Sequence, residues 1–140
     1  MREILNDQDR EARVTTACLL AAGTGSRLRP ITHSIPKCLT EINGIPILER
    51  LISCLRDQGF KRLVVVTSHL EQSIREFLDR YAGEMIVEYV HNPIYETTNN
   101  IYSLWLAGQA IQEPFLLVES DLIFKASLLK ELLEPNKIAV

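Results

Sequence analysis

The seven residues from Val14 to Leu20 carry no charge and run straight into Ala21-Ala22-Gly23-Thr24-Gly25-Ser26-Arg27. An uncharged run this short, without a polar face, reads as a strand buried on both sides. Such a strand belongs in a parallel sheet covered by helices on each face. The two glycines that follow permit a sharp turn and leave backbone N–H groups open to a ligand. Successive N–H groups in such a turn form a concave nest for anions. Arg27, Arg29 and Lys37 add positive charge close by. The stretch therefore reads as a strand ending in a phosphate-cradling loop.

The rest of the chain repeats the strand-then-helix order. A helix is predicted from about Pro46, with Leu48, Leu51, Ile52 and Leu55 forming one buried stripe at i, i+3, i+4 and i+7, and Gly59 ending it. Leu63 to Thr67 reads as a strand. Ser68 and Glu71 have the spacing of a capping box that opens a helix carrying Ile74, Phe77, Leu78 and Tyr81, stopped by Gly83. Met85 to His91 and Phe115 to Glu119 are further strands. Between them, Asn99 or Asn100 caps a helix whose apolar face is expected to hold Ile101, Leu104, Trp105 and Ile111, with Trp105 packed in the core. A short helix from Ala126 to Leu133 and a strand beginning at Lys137 complete the pattern. This order predicts an α/β fold of the Rossmann-like type, an open and mostly parallel sheet with helices on both faces. Ligands of such sheets bind beyond the carboxyl ends of the strands. Gly23 to Arg27, Ser68, Asn92 and Asp121 each follow a strand directly, so all four are expected on one rim.

Two familiar glycine loops do not fit. A P-loop requires a Gly-Lys pair, which the loop lacks, and a dinucleotide fingerprint requires a third glycine where Leu28 stands. What remains, G-x-G-x-R-L-x-P-x-T-x-x-x-P-K, resembles the signature of the nucleoside-triphosphate-dependent nucleotidyltransferases that activate sugar 1-phosphates and phosphorylated alcohols. The passage His91-Asn92-Pro93-Ile94-Tyr95 with Thr98-Asn99-Asn100-Ile101-Tyr102-Ser103-Leu104-Trp105 resembles the cytidylyltransferases of the phosphocholine type. Amide side chains at a helix N-terminus suit the reading of a pyrimidine edge and the orienting of phosphates.

The resemblance implies a glycosyltransferase-A-like nucleotidyltransferase fold. It also implies direct transfer of a nucleotidyl group from CTP to phosphocholine or a similar phosphorylated alcohol or phosphonate. In that scheme Arg27 holds the β- and γ-phosphates and Lys37 sits near the α-phosphate and the attacking oxygen. Leu20, Ala21, Ala22, Gly23, Thr24, Gly25 and Ser26 contact the nucleotide, while Asn99, Asn100 and Ser103 are candidates for cytidine or acceptor contacts. Asp121, at the end of the Phe115–Glu119 strand, is placed as the Mg²⁺ ligand, a hard oxygen donor suited to that ion. Glu119 reads as structural. Tyr95, Tyr102 and Trp105 are the aromatics near the proposed site, and a quaternary ammonium is held best over such faces. Two other readings stay open: a sugar-1-phosphate nucleotidyltransferase using UTP, dTTP or GTP, and a nucleotide-binding fragment without catalysis.

Composition narrows the partners. The chain has 140 residues, 46% hydrophobic and 24% charged, with a net charge of −3. That is an ordinary globular composition, and it lacks the basic excess of a general nucleic-acid binder. Cys18, Cys38 and Cys54 have no metal-ligand spacing and read as reduced, buried thiols. Residues 1–13 are a charged lead-in without the apolar heart of a signal peptide. No apolar run reaches the roughly 18 residues of a membrane span. A cytoplasmic protein is expected, with no membrane or nucleic-acid partner. Domains of the resembled family are about double this length, so residues 14–140 are expected to form the nucleotide-binding half of one. A sheet edge left without its neighbour predicts association, including a homo-oligomer.

Overall fold

Every residue of the first strand, β1 (Thr16–Leu20), is buried, because sheet and helices enclose it on all sides. The computed structural model describes residues 13–23, 30 and 34–133. Thr24, Gly25, Ser26, Arg27 and Arg29 lie outside the described residues, as do the lead-in before Arg13 and the strand expected from Lys137. After β1 come a 3-10 turn (Lys37–Leu39), β2 (Glu41–Ile42), β3 (Ile45–Pro46), α1 (Ile47–Asp57), β4 (Arg62–Thr67), α2 (Glu71–Tyr81), β5 (Ile86–His91), α3 (Asn100–Ala110), β6 (Leu116–Glu119) and α4 (Ala126–Leu132).

Four strands form one parallel sheet in the order β5-β4-β1-β6. The chain moves outward from β1 to β4 and β5, then returns across β1 to place β6 on its other side. Right-handed crossovers put helices made on the outward path on one face and the return helix on the other. The core divides in that way. Leu48, Leu51, Ile52 and Leu55 of α1, Ile74 and Leu78 of α2, and Leu129 of α4 pack with Ala17, Leu19, Leu63, Val65 and Val118. Ala107 of α3 and the adjoining Ile111 pack with Cys18, Leu20, Val64 and Val66 on the opposite face. Each fully buried Leu, Ile or Val contributes about 1.5–3 kcal/mol relative to exposure.

The α1 stripe matches its expected pattern, and Gly59 ends that helix at φ +78°. The Gly59 N–H donates to the Arg56 carbonyl and the Phe60 N–H to the Leu55 carbonyl, a pair of bonds that requires a left-handed residue at the helix exit. Asn43-Gly44 forms the two-residue turn of the β2–β3 hairpin, which Arg50 Nη2 ties to α1 through the Ile42 carbonyl at 2.9 Å.

Two local expectations are overturned. The Ser68–Glu71 capping box does not form. Leu70 precedes α2 with no side-chain cap, and Ser68 is buried, its backbone carbonyl accepting from the Glu71 N–H. Glu71 turns instead to Arg75, because a guanidinium binds a carboxylate more strongly than a backbone amide does, and its second oxygen lies 3.0 Å from His91 Nδ1. Trp105 is not core: it is 57% exposed, and Ile101 is 74% exposed. The face of α3 that reaches the sheet is lined by Ser103 and Ala107, small residues that let the helix approach closely. Among the described residues no helix is long and apolar enough to cross a membrane.

Candidate active site

Strand order reverses between β1 and β6, and the crevice at such a switch point is where open α/β sheets bind ligands. Four of the polar features picked out in the sequence follow the carboxyl ends of this sheet: Gly23 after β1, Ser68 after β4, Asn92 after β5 and Asp121 after β6. The glycine at position 23 does not sit at positive φ, and a Cβ built there meets no atom of the described residues within 4 Å. Its backbone conformation does not require glycine. The side chains of Leu20, Ala21 and Ala22 are buried, so a ligand can meet only their backbone. The Ala21 N–H already donates to the Val66 carbonyl at 2.8 Å, extending the sheet by one bond.

Lys37 and Asp121 meet across the reversal. Lys37 Nζ lies 2.8 Å from Asp121 Oδ2, with the two side chains 27% and 45% exposed. The 3-10 turn presents the lysine while its neighbour Cys38 is buried in the core and pins the turn. Burial pushes the Cys38 thiol up to about 12 and that of Cys18 to about 11, so neither is a nucleophile near neutrality. Both behave as the buried structural thiols expected, and Cys54 is half-buried and unpaired with another cysteine.

The asparagine pair divides its work. Asn99 Oδ1 caps α3 by accepting from the Ile101 N–H at 3.1 Å. Asn100 Nδ2 donates to Glu119 Oε1 at 3.0 Å, joining the start of α3 to the end of β6. Ser103 stands differently from its expectation. It is 3% exposed and its hydroxyl accepts from Asn92 Nδ2 at 3.2 Å, so it faces the interior. The nearby aromatics pair with other rings. His69 stacks on Tyr95 at 4.9 Å and Tyr102 on Trp105 at 5.6 Å.

Asp121 fits a magnesium ligand in kind: a partly exposed carboxylate at a strand end, with a second carboxylate two residues before it at Glu119. Among the described residues no three His, Cys, Asp or Glu side chains gather as a metal cage. The donor set is that of an ion held by one or two carboxylates and completed by phosphate oxygens and water, a common arrangement for Mg²⁺. Lys37 occupies the carboxylate meanwhile.

Sequence reasoning missed the Asn100–Glu119 bond and the buried position of Asn92. A strand-end carboxylate with two residues to the next acid gave no signal of its partner. Asn92 was visible as a rim residue directly after a strand, with no local signal that its side chain would be buried. A recess of about 620 Å³ lined by Arg56, Lys61 and Glu84 lies by the amino ends of β4 and β5, remote from this crevice.

The MobA-like NTP transferase domain family matches residues 17–138. Among curated proteins, CMP-5'-(3-aminopropyl)phosphonate synthase of Streptomyces rubellomurinus is 39% identical over 117 residues, covering 83% of this chain and 18% of that protein. A UTP–glucose-1-phosphate uridylyltransferase of Haloferax volcanii is 38% identical over 113 residues, covering 80% of this chain and 45% of its own. The solved CTP:phosphocholine cytidylyltransferase of Streptococcus pneumoniae superposes with a TM-score of 0.67 at 31% identity, over 78% of this chain and 45% of that one. The chain thus spans half or less of the length of each of these relatives.

Proposed function

Because the chain belongs to the MobA-like NTP transferase domain family, we propose that it is the triphosphate-binding half of a cytidylyltransferase acting on phosphocholine or a similar phosphorylated alcohol or phosphonate. The observation that carries this reading is the Lys37–Asp121 pair at the switch point, a cation and a hard anion set side by side where β1 and β6 end. Relatives named for choline phosphate and for an aminopropylphosphonate support that choice of acceptor class.

In the proposed reaction an oxygen of the acceptor's phosphate or phosphonate attacks the α-phosphorus of CTP. The new P–O bond forms as the bond to the β-phosphate oxygen breaks, and pyrophosphate leaves in line. The attacking oxygen is already ionised near neutrality, so the protein needs to supply position and charge rather than a base. Lys37 neutralises charge at the α-phosphate, Arg27 holds the leaving phosphates, and the Gly23–Ser26 backbone cradles the triphosphate. Asn99 and Asn100 sit at the N-terminus of α3, where a nucleotide base or phosphate is met by amide groups. Asp121 would hold Mg²⁺, which when bound supplies Lewis-acid neutralisation of the phosphate oxygens.

The test is a pyrophosphate-release screen crossing CTP, UTP, GTP and dTTP with phosphocholine, phosphoethanolamine, 2-aminoethylphosphonate and glucose 1-phosphate. CTP-dependent release with an amine-bearing phosphate or phosphonate is expected, abolished by Lys37→Ala and by Asp121→Ala. Release confined to UTP and glucose 1-phosphate would instead select the sugar-phosphate reading, which the uridylyltransferase relative favours. Triphosphate binding without release for any acceptor would mark a non-catalytic binding fragment.

A further inference from the structure

Asn92 is 1% exposed, among the most deeply buried polar side chains described, and it lies outside the set of groups expected to touch substrate. A buried amide is costly unless its hydrogen-bonding capacity is met. Here it is met on both ends. Nδ2 donates to Thr98 Oγ1 at 3.1 Å and to Ser103 Oγ at 3.2 Å, and Oδ1 accepts from the Ile94 N–H at 3.0 Å. Thr98 passes its own proton to the Ile94 carbonyl at 2.8 Å, closing a ring within the loop. The Asn92 backbone N–H donates to the Thr67 carbonyl at 2.8 Å, which fastens the residue to the end of β4.

These bonds join three parts of the carboxyl rim: the end of β4, the 92–98 loop, and the first turn of α3 through Ser103. The same turn begins with Asn99, which caps it, and Asn100, which holds Glu119 at the end of β6. Two residues beyond Glu119 stands Asp121 with Lys37. A continuous polar bridge therefore crosses the rim from β4 to the switch point, and Asn92 is its buried support. Ser103, the residue that the sequence offered as a ligand contact, is the joint between that support and the helix.

We propose that Asn92 is a positioning residue: acting through Ser103, it sets where the N-terminus of α3 stands over the switch-point crevice, and so governs nucleotide affinity without touching the nucleotide. This inference rests on the nucleotide-binding reading given above. A satisfied buried network holds one geometry, whereas a truncated one leaves its former partners unpaired and the helix end free to shift. Asn92→Ala removes all three side-chain bonds. Ser103→Ala removes only the joint to α3.

The experiment titrates CTP and UTP into the chain with Mg²⁺, following the fluorescence of Trp105, the single tryptophan, which lies on α3 itself. Thermal unfolding is recorded beside it, and Leu78→Ala, a core change in α2 on the other face of the sheet, controls for loss of stability. Asn92→Ala is expected to raise the dissociation constant about tenfold at a temperature where the chain stays folded, the scale of one lost buried hydrogen-bonding group. Ser103→Ala should raise it less, and the double variant should fall short of the product of the two. Leu78→Ala should lower the unfolding temperature and leave affinity within about twofold. Hydrogen exchange at the Ile101, Tyr102 and Ser103 amides should quicken in Asn92→Ala and not in Leu78→Ala. If Asn92→Ala does not fold, Ser103→Ala decides alone: affinity within about twofold of the parent overturns the proposal. Equal affinity losses in Asn92→Ala and Leu78→Ala overturn it too, since that is the mark of a purely structural role. A parent chain that binds none of the triphosphates overturns the functional reading and this inference with it, an outcome distinct from normal binding that the variants leave unchanged.

Discussion

At Lys37 and Asp121 the energetics favour function over stability. Partly exposed ion pairs contribute about 0–1 kcal/mol, because water solvates the separated partners well. Lys37→Ala and Asp121→Ala are therefore expected to shift the urea midpoint little while removing triphosphate turnover. A loss of several kcal/mol in either variant would mark the pair as a structural tie. The opposite rim carries the contrasting case. Arg62 donates to Glu88, to Glu113 and to the Ala110 carbonyl, joining the starts of β4 and β5 to the exit of α3. Glu113 also accepts from the Thr16 hydroxyl at 2.8 Å. Hydrogen bonds from Arg62, then from Thr16, hold the Glu113 carboxyl down at about 2, against its ordinary 4.5. A carboxyl depressed on folding stabilises the native state fully above its unfolded value and loses that contribution as pH falls through its folded value. The parent should lose stability between pH 4.5 and about 2, and Glu113→Gln should flatten that part of a plot of unfolding temperature against pH. An unchanged slope in the variant would refute the assignment.

Among the elements, α3 departs furthest from its sequence pattern. Apolar residues occur around its whole circumference, so periodicity could not say which side faces the sheet. Small Ala107 and Ser103 took the inner face because close approach to Val64, Val66 and Cys18 leaves no room for Trp105. Trp105→Gln is accordingly expected to cost less than about 1 kcal/mol, as for other exposed positions, whereas burying a tryptophan would make its loss cost about 3–5 kcal/mol. Asn99→Ala should cost about 1 kcal/mol through loss of the cap on the Ile101 N–H, read by chemical denaturation. By contrast, α1 was legible in full: four apolar residues at helical spacing and a glycine exit are local signals that need no knowledge of the partner surface. The start of α2 was misread for a related reason. Ser68 and Glu71 have capping-box spacing, but His91 from the neighbouring strand competes for the glutamate, and no local pattern records a residue twenty positions away.

For the molecule as a whole, the two-faced sheet sets both the site and a vulnerability. Among the described residues β6 pairs with β1 on one side only, and Leu117, Leu122, Ile123 and Leu128 stand exposed around a groove of about 250 Å³ beside it. Unpaired edges with apolar surroundings promote association. The chain is expected to self-associate with rising concentration in sedimentation velocity, and Leu117→Lys with Ile123→Lys to suppress this while leaving nucleotide affinity unchanged. The sequence by itself determined the strand–helix alternation, hence the parallel sheet, its two covered faces and the rim on which the polar residues gather. Each of those follows from apolar periodicity and glycine placement, which act over a few neighbouring residues. Only the tertiary structure decided that Lys37 meets Asp121, that Asn100 meets Glu119, that Ser103 is buried against Asn92, and that Trp105 faces outward. Those outcomes depend on strand order and on how closely one helix can approach the sheet, and such distances are set by packing between segments far apart in the chain.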